Sequence, residues 1–143
     1  MCGLTGFLWN PKLKLIEIDS QLKIMAASIS HRGPDDSGCW FDDEAGVAIA
    51  HQRLSIVDLS SAGHQPMRSS SGRYTMVFNG EIYNHKDLKN QLIDKCKHPI
   101  TWKGHSDTEI LLACFEEWGL EATLEKMIGM FSISLWDSFN NAM

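Results

Sequence analysis

Proline and cysteine are scarce in this sequence, with 4 of each among 143 residues. The cysteines (Cys2, Cys39, Cys96 and Cys114) are scattered and form no Cys-x-x-Cys pair. This excludes a disulfide framework, and the six histidines add no His-x-x-x-His spacing. No metal site is therefore expected. Three of the cysteines are expected as small buried apolar groups, whereas Cys2 stands apart by its position. Positive charge is also short. Lys+Arg number 13 against 18 Asp+Glu, and neither sign gathers into a block. The basic stripe of a nucleic-acid binder is missing. No apolar run approaches the roughly 20 residues of a membrane-spanning helix. The start, MCGLTGFLWN, has no basic segment before its apolar stretch and so is not a signal peptide. There is no repeat, linker or low-complexity segment. The expectation is one soluble, cytoplasmic domain with an ordinary core, since a chain of this size buries roughly two thirds of its unfolded surface.

The pattern of the residues that are present predicts a mixed order of elements. Gly3–Trp9 reads as a first strand closed by Asn10-Pro11. Ile18, Leu22, Met25, Ala26 and Ile29 have helical spacing, with Asp19 or Ser20 placed to cap. His31–Gly38 breaks all periodicity. Val47–Ala50 and Tyr74–Asn79 read as strands, separated by a polar stretch from Asp58 to Arg73. Leu88, Leu92 and Cys96 share a helix face. Leu111, Cys114, Phe115 and Trp118 predict a helix over Asp107–Trp118, and Leu120–Met127 a shorter one. Phe131–Trp136 alternates as a last strand. The sum is an α+β domain of layered sheets and helices. The chain ends soon after that strand, and the expectation is an incomplete domain truncated at its C-terminal end.

Four groups of residues carry possible chemistry. Removal of Met1 would leave Cys2 with a free α-amine, whose reference pKa is about 7.7–8.0. A thiol nucleophile and its general base would then share one residue. A packing cysteine is the plain alternative. Asn79-Gly80 is first of all a turn signal, but an Asn amide beside a Gly N–H can also serve an oxyanion. Arg53 lies in an otherwise apolar segment and needs a carboxylate, either a structural one or a substrate's. Ser106 and Glu109 fit a capping box, which leaves Asp107 free to meet an ammonium group. The histidines show no triad logic and read as structural or surface residues.

Six segments stand in order: Cys2-Gly3-Leu4-Thr5-Gly6, His31-Arg32-Gly33-Pro34-Asp35, Arg53-Leu54-Ser55-Ile56-Val57, Gly63-His64-Gln65-Pro66-Met67, Asn79-Gly80-Glu81-Ile82-Tyr83-Asn84 and Ser106-Asp107-Thr108-Glu109. Together they resemble the class II glutamine amidotransferase domain, in particular that of glutamine-hydrolysing asparagine synthetases. The segment Lys95–Gly104 departs from the family's stretch. The resemblance implies an N-terminal nucleophile hydrolase fold, a four-layer α/β/β/α sandwich of antiparallel sheets over residues 1–143. It implies Cys2 as nucleophile, Asn79 and the Gly80 N–H as oxyanion donors, and Arg53 on the glutamine α-carboxylate. Asp107 with the Glu81 region would hold the α-ammonium, and Leu54, Ser55, Ile56 and Val57 would line the pocket. It also implies no cofactor here, because ATP and magnesium belong to a synthetase domain that this chain lacks. Glutamine and that synthetase domain are the partners implied, possibly with a second copy as a homodimer. A different acceptor for the ammonia (a sugar or a peptide) or a non-catalytic glutamine-sensing role remain as alternatives.

Overall fold

A computed structural model describes residues 2–13, 17–56, 59–95 and 100–143. Among the described residues six strands and four α-helices follow one another: β1 (Gly3–Leu8), α1 (Ile18–Ser28), β2 (Asp36–Asp42), β3 (Val47–Arg53), β4 (Met67–Arg68), β5 (Tyr74–Ile82), α2 (His85–Lys95), α3 (Asp107–Trp118), α4 (Leu120–Lys126) and β6 (Gly129–Asp137). They form two three-stranded antiparallel sheets, ordered β1-β3-β2 and β4-β5-β6.

The period of two along each central strand decides which layer each residue joins. All seven residues of β3 are buried, yet they serve two faces. Ala48 and Ala50 pack against Ile18, Leu22 and Ala26 of α1, and Gln52 donates to the Ala26 carbonyl at 3.0 Å. Val47 and Ile49 point the other way and meet Val77 and Trp136 of the second sheet. In β5, Tyr74, Met76 and Phe78 join Leu88, Leu92, Leu111 and Phe115 under α2 and α3. The layers therefore run α1, first sheet, second sheet, then α2 with α3. This is the expected α/β/β/α sandwich, with apolar contact between each layer and the next. Arg73 closes the start of β5 on the end of β6 through a bidentate pair with Asp137, at 2.9 and 2.6 Å. The guanidinium holds that carboxyl at a pKa of about 2.

Several expectations change. β2 occupies part of the stretch read as aperiodic, because antiparallel pairing with β3 (Cys39 opposite Ala50) supplies order that local pattern does not. Neither Asp19 nor Ser20 caps α1. Glu17 holds the N-cap position in a left-handed conformation with no side-chain cap, and Asp19 pairs with Lys23 one turn on. Asn79-Gly80 makes no turn, since β5 runs straight through it to Ile82, paired throughout with β6. Ser106 does cap α3, accepting the Glu109 N–H at 3.3 Å. The Glu109 carboxylate instead takes the N–H groups of Lys103 and Gly104 at 2.7 and 3.0 Å. Of the cysteines read as packing groups, Cys114 is fully buried and Cys39 half-buried, while Cys96 lies outside the described residues.

Candidate active site

The same alternation carries polar side chains into the space between the sheets. Arg53 is the last residue of β3 on the Val47–Ile49 face, and Cys2 continues the alternation of Leu4 just ahead of β1. Asn79 follows Val77 on the inward face of β5. These three residues line one cavity of about 390 Å³, together with Leu54, Ile56, Gly63, Gln65, Gly80, Glu81, Asp107, Met130 and Phe131.

At Cys2, Sγ receives the Leu54 N–H at 3.4 Å, and its thiol reaches the Leu54 carbonyl at 3.7 Å. Arg32 Nε donates to the Cys2 carbonyl at 3.1 Å. The nucleophile candidate is thus tied to the segment that follows Arg53. Arg53 is itself buried, and its Nη1 donates to the Ser60 carbonyl at 2.8 Å. Gly63 makes room for the guanidinium, because a Cβ there would lie 2.0 Å from Nη2. Asp107 is 6% exposed at the start of α3. Its Oδ2 accepts the Ile82 N–H at 3.0 Å and its Oδ1 the Thr108 N–H at 2.9 Å. Burial raises its pKa above the usual carboxylate value, while those N–H groups oppose the rise.

The outer edge of β5 positions a further donor. Ser69 N–H donates to the Tyr74 carbonyl, so the backbone groups of Tyr74 turn toward β4. Alternation then turns those of Met76, Phe78, Gly80 and Ile82 to the same edge. Beyond β4, side chains serve that edge. Phe78 N–H is held by Gln65 Oε1 at 2.6 Å and Ile82 N–H by Asp107. None of the described residues takes the Gly80 N–H between them. Gly80 is also required by closeness to β6, as a Cβ would lie 2.2 Å from the Met130 carbonyl oxygen.

Of the remaining expected site residues, Glu81 and the exposed Ile56 lie on the cavity wall, as does Leu54. Ser55 is not on it, and its N–H is spent on Asp35 Oδ2 at 2.7 Å. Val57 lies outside the described residues. Sequence reasoning missed Gln65 and the apolar rim of Met130 and Phe131. It also placed no weight on His51, although the period-two series 47, 49, 51, 53 already put His51 beside Arg53. No described histidine lines the cavity. Among the described residues no group of acidic, histidine and cysteine side chains could hold a metal. No described helix is long and apolar enough to cross a membrane.

A family model described as a glutamine amidotransferase domain matches residues 1–143. Among curated relatives, asparagine synthetase [glutamine-hydrolyzing] 3 of Bacillus subtilis is 35% identical, over 100% of this chain and 22% of its own length. Asparagine synthetase B [glutamine-hydrolyzing] of Escherichia coli is 36% identical, over 99% of this chain and 24% of its own. Amidase chry2 of Gibberella zeae is also 36% identical, over 96% of this chain and 21% of its own. The chain thus spans about a fifth to a quarter of the length of these relatives.

Proposed function

Since the chain belongs to the glutamine amidotransferase domain family, we propose that it hydrolyses glutamine with Cys2 as nucleophile, after removal of Met1. Sγ attacks the side-chain amide carbon and the carbonyl oxygen becomes an oxyanion. The Asn79 amide and the Gly80 N–H receive that oxyanion. A single donor of this kind contributes about 2.7–4 kcal/mol of transition-state stabilisation. The Cys2 α-amine takes the thiol proton and passes it to the leaving nitrogen. The C–N bond breaks, ammonia departs and a glutamyl thioester remains. Water then adds to the thioester and releases glutamate and the free thiol.

Arg53 offers a planar, bidentate match to the substrate α-carboxylate. Asp107 and Glu81 supply negative charge for the α-ammonium, and Leu54 and Ile56 shape the cavity wall. The observation that carries this reading is the Gly80 N–H, which no described residue takes, on the wall of a cavity that also holds Cys2, Arg53 and Asp107.

The names of the bacterial relatives support a further proposal for the whole protein. In it the ammonia serves an ATP-dependent amidation of aspartate in a synthetase domain, in the cytoplasm, with ATP and magnesium acting there rather than in residues 1–143. The relative named as an amidase favours a second reading in which the same glutaminase serves another acceptor.

The test is release of glutamate from glutamine by protein whose intact mass shows loss of Met1. Cys2→Ala is expected to abolish turnover while glutamine still binds. Full activity in that variant overturns the assignment, and binding without turnover by the processed parent favours a glutamine sensor.

A further inference from the structure

His51 has no place in the chemistry above, yet it is among the most completely buried side chains, at 1% exposure. It projects from β3 across the space between the sheets, and its Nε2 meets the Phe78 carbonyl at 3.1 Å. Its Nδ1 is buried with no partner among the described residues. The bond to Phe78 is therefore what the buried imidazole is held by. Gln65 (5% exposed) accepts the Phe78 N–H through Oε1 and donates through Nε2 to Thr108 Oγ1 at 3.4 Å. Two polar side chains from different segments thus grip both backbone groups of one residue, Phe78. That residue directly precedes Asn79 and Gly80.

A β-strand normally satisfies such an edge by pairing with a neighbour. β4 could have been that neighbour, but it pairs only with Thr75 and Met76. Had it continued along β5, its carbonyls would have taken the N–H groups of Phe78, Gly80 and Ile82 alike. Side chains at 78 and at 82 satisfy the edge on each side and leave the N–H between them open.

We propose that His51 and Gln65 are positioning residues for the oxyanion donors, replacing a pairing strand at Phe78 so that Asn79 is fixed and the Gly80 N–H stays available. The proposal rests on the glutaminase reading and deepens it. Both residues act through the backbone of Phe78; His51 does not line the cavity, whereas Gln65 also reaches its wall. A displacement of the donors by a fraction of an ångström weakens the transition state more than the bound ground state. The loss is expected in kcat rather than in KM, by about 10–100-fold.

The experiment compares the processed chain with His51→Leu, Gln65→Met and His51→Gln, the last keeping an amide donor near Phe78. Each is measured for kcat and KM with glutamine and for the rate of Cys2 alkylation by iodoacetamide, a displacement that forms no oxyanion. The expected result is a kcat loss in His51→Leu and Gln65→Met, with KM within about threefold and alkylation within about twofold of the parent. His51→Gln is expected to recover most of the lost kcat. Unchanged kcat, KM rising in step with the loss, alkylation falling with kcat, or no recovery in His51→Gln overturns the proposal. Should His51→Leu fail to fold, Gln65→Met decides by the same criteria. A parent that releases no glutamate overturns the glutaminase reading itself, and the positioning role with it.

Discussion

Oδ2 of Asp107, the first residue of α3, accepts the backbone N–H of Ile82 at 3.0 Å, joining a helix start to the edge of β5. One carboxylate thereby has a structural task and is left with capacity for a substrate ammonium. Asp107→Asn can present its amide oxygen to only one of the two N–H groups now served. The variant is expected to lose about 1–3 kcal/mol of stability, the penalty of a buried unmet group. Its KM for glutamine should rise at least about tenfold, as for a lost charge-assisted bond. In the parent, burial raises the Asp107 pKa, so neutralisation begins at a higher pH than for an ordinary aspartate. KM is expected to climb on acidification before the usual value of about 3.9 is reached. Chemical denaturation and a KM profile against pH check both outcomes.

Arg53→Lys keeps the charge and loses the planar fork. Its Nη1 now donates to the Ser60 carbonyl at 2.8 Å, which fixes the guanidinium plane within the cavity. A lysine ammonium has no such fork to align with a carboxylate. The expected result is a KM increase of about 10–100-fold with kcat changed little, the signature of lost uniform binding. Steady-state glutaminase assays decide this, and an equal loss in kcat would place Arg53 in the transition state instead.

Gly80→Ala puts a methyl group against the Met130 carbonyl oxygen and the Phe131 backbone. Backbone cannot retreat as a flexible side chain can, so β5 and β6 must part locally. A destabilisation of about 1–3 kcal/mol is expected, with kcat falling because the N–H moves with the strand. Thermal unfolding together with kcat at a temperature well below the transition separates the two effects.

Burial lowers the His51 pKa to about 4 from the ordinary value of 6.5. The folded state therefore binds fewer protons than the unfolded state between these values. The stability this contributes is fully present above about pH 6.5 and is lost as pH falls toward 4, on the order of 3 kcal/mol across the window. His51→Gln has no such group and should show a flatter profile there. Denaturation midpoints of both proteins across that range test the difference, and parallel profiles would refute it.

Much was legible in the sequence because it depends on neighbours along the chain. Four apolar residues at helical spacing behind a Ser cap specify α3, and alternation specifies β5 and β6. The six ordered segments point to the family and to Cys2, Arg53, Asn79, Gly80 and Asp107 as site candidates. What the sequence could not express is what faces what. Asn79-Gly80 has the composition of a turn, and only nine residues of pairing with β6 hold it extended. β2 has little pattern of its own and exists because β3 offers it partners. His51 and Gln65 lie 14 positions apart in the chain, and only the packing of the two sheets brings both to Phe78. Local propensity is a sum over adjacent residues, whereas an open N–H at Gly80 depends on which segment lies beside the strand. The sequence alone specified most of the elements and the candidate site residues. The tertiary structure decided that one strand edge would be closed by side chains, because no local signal encodes a neighbour that stops short.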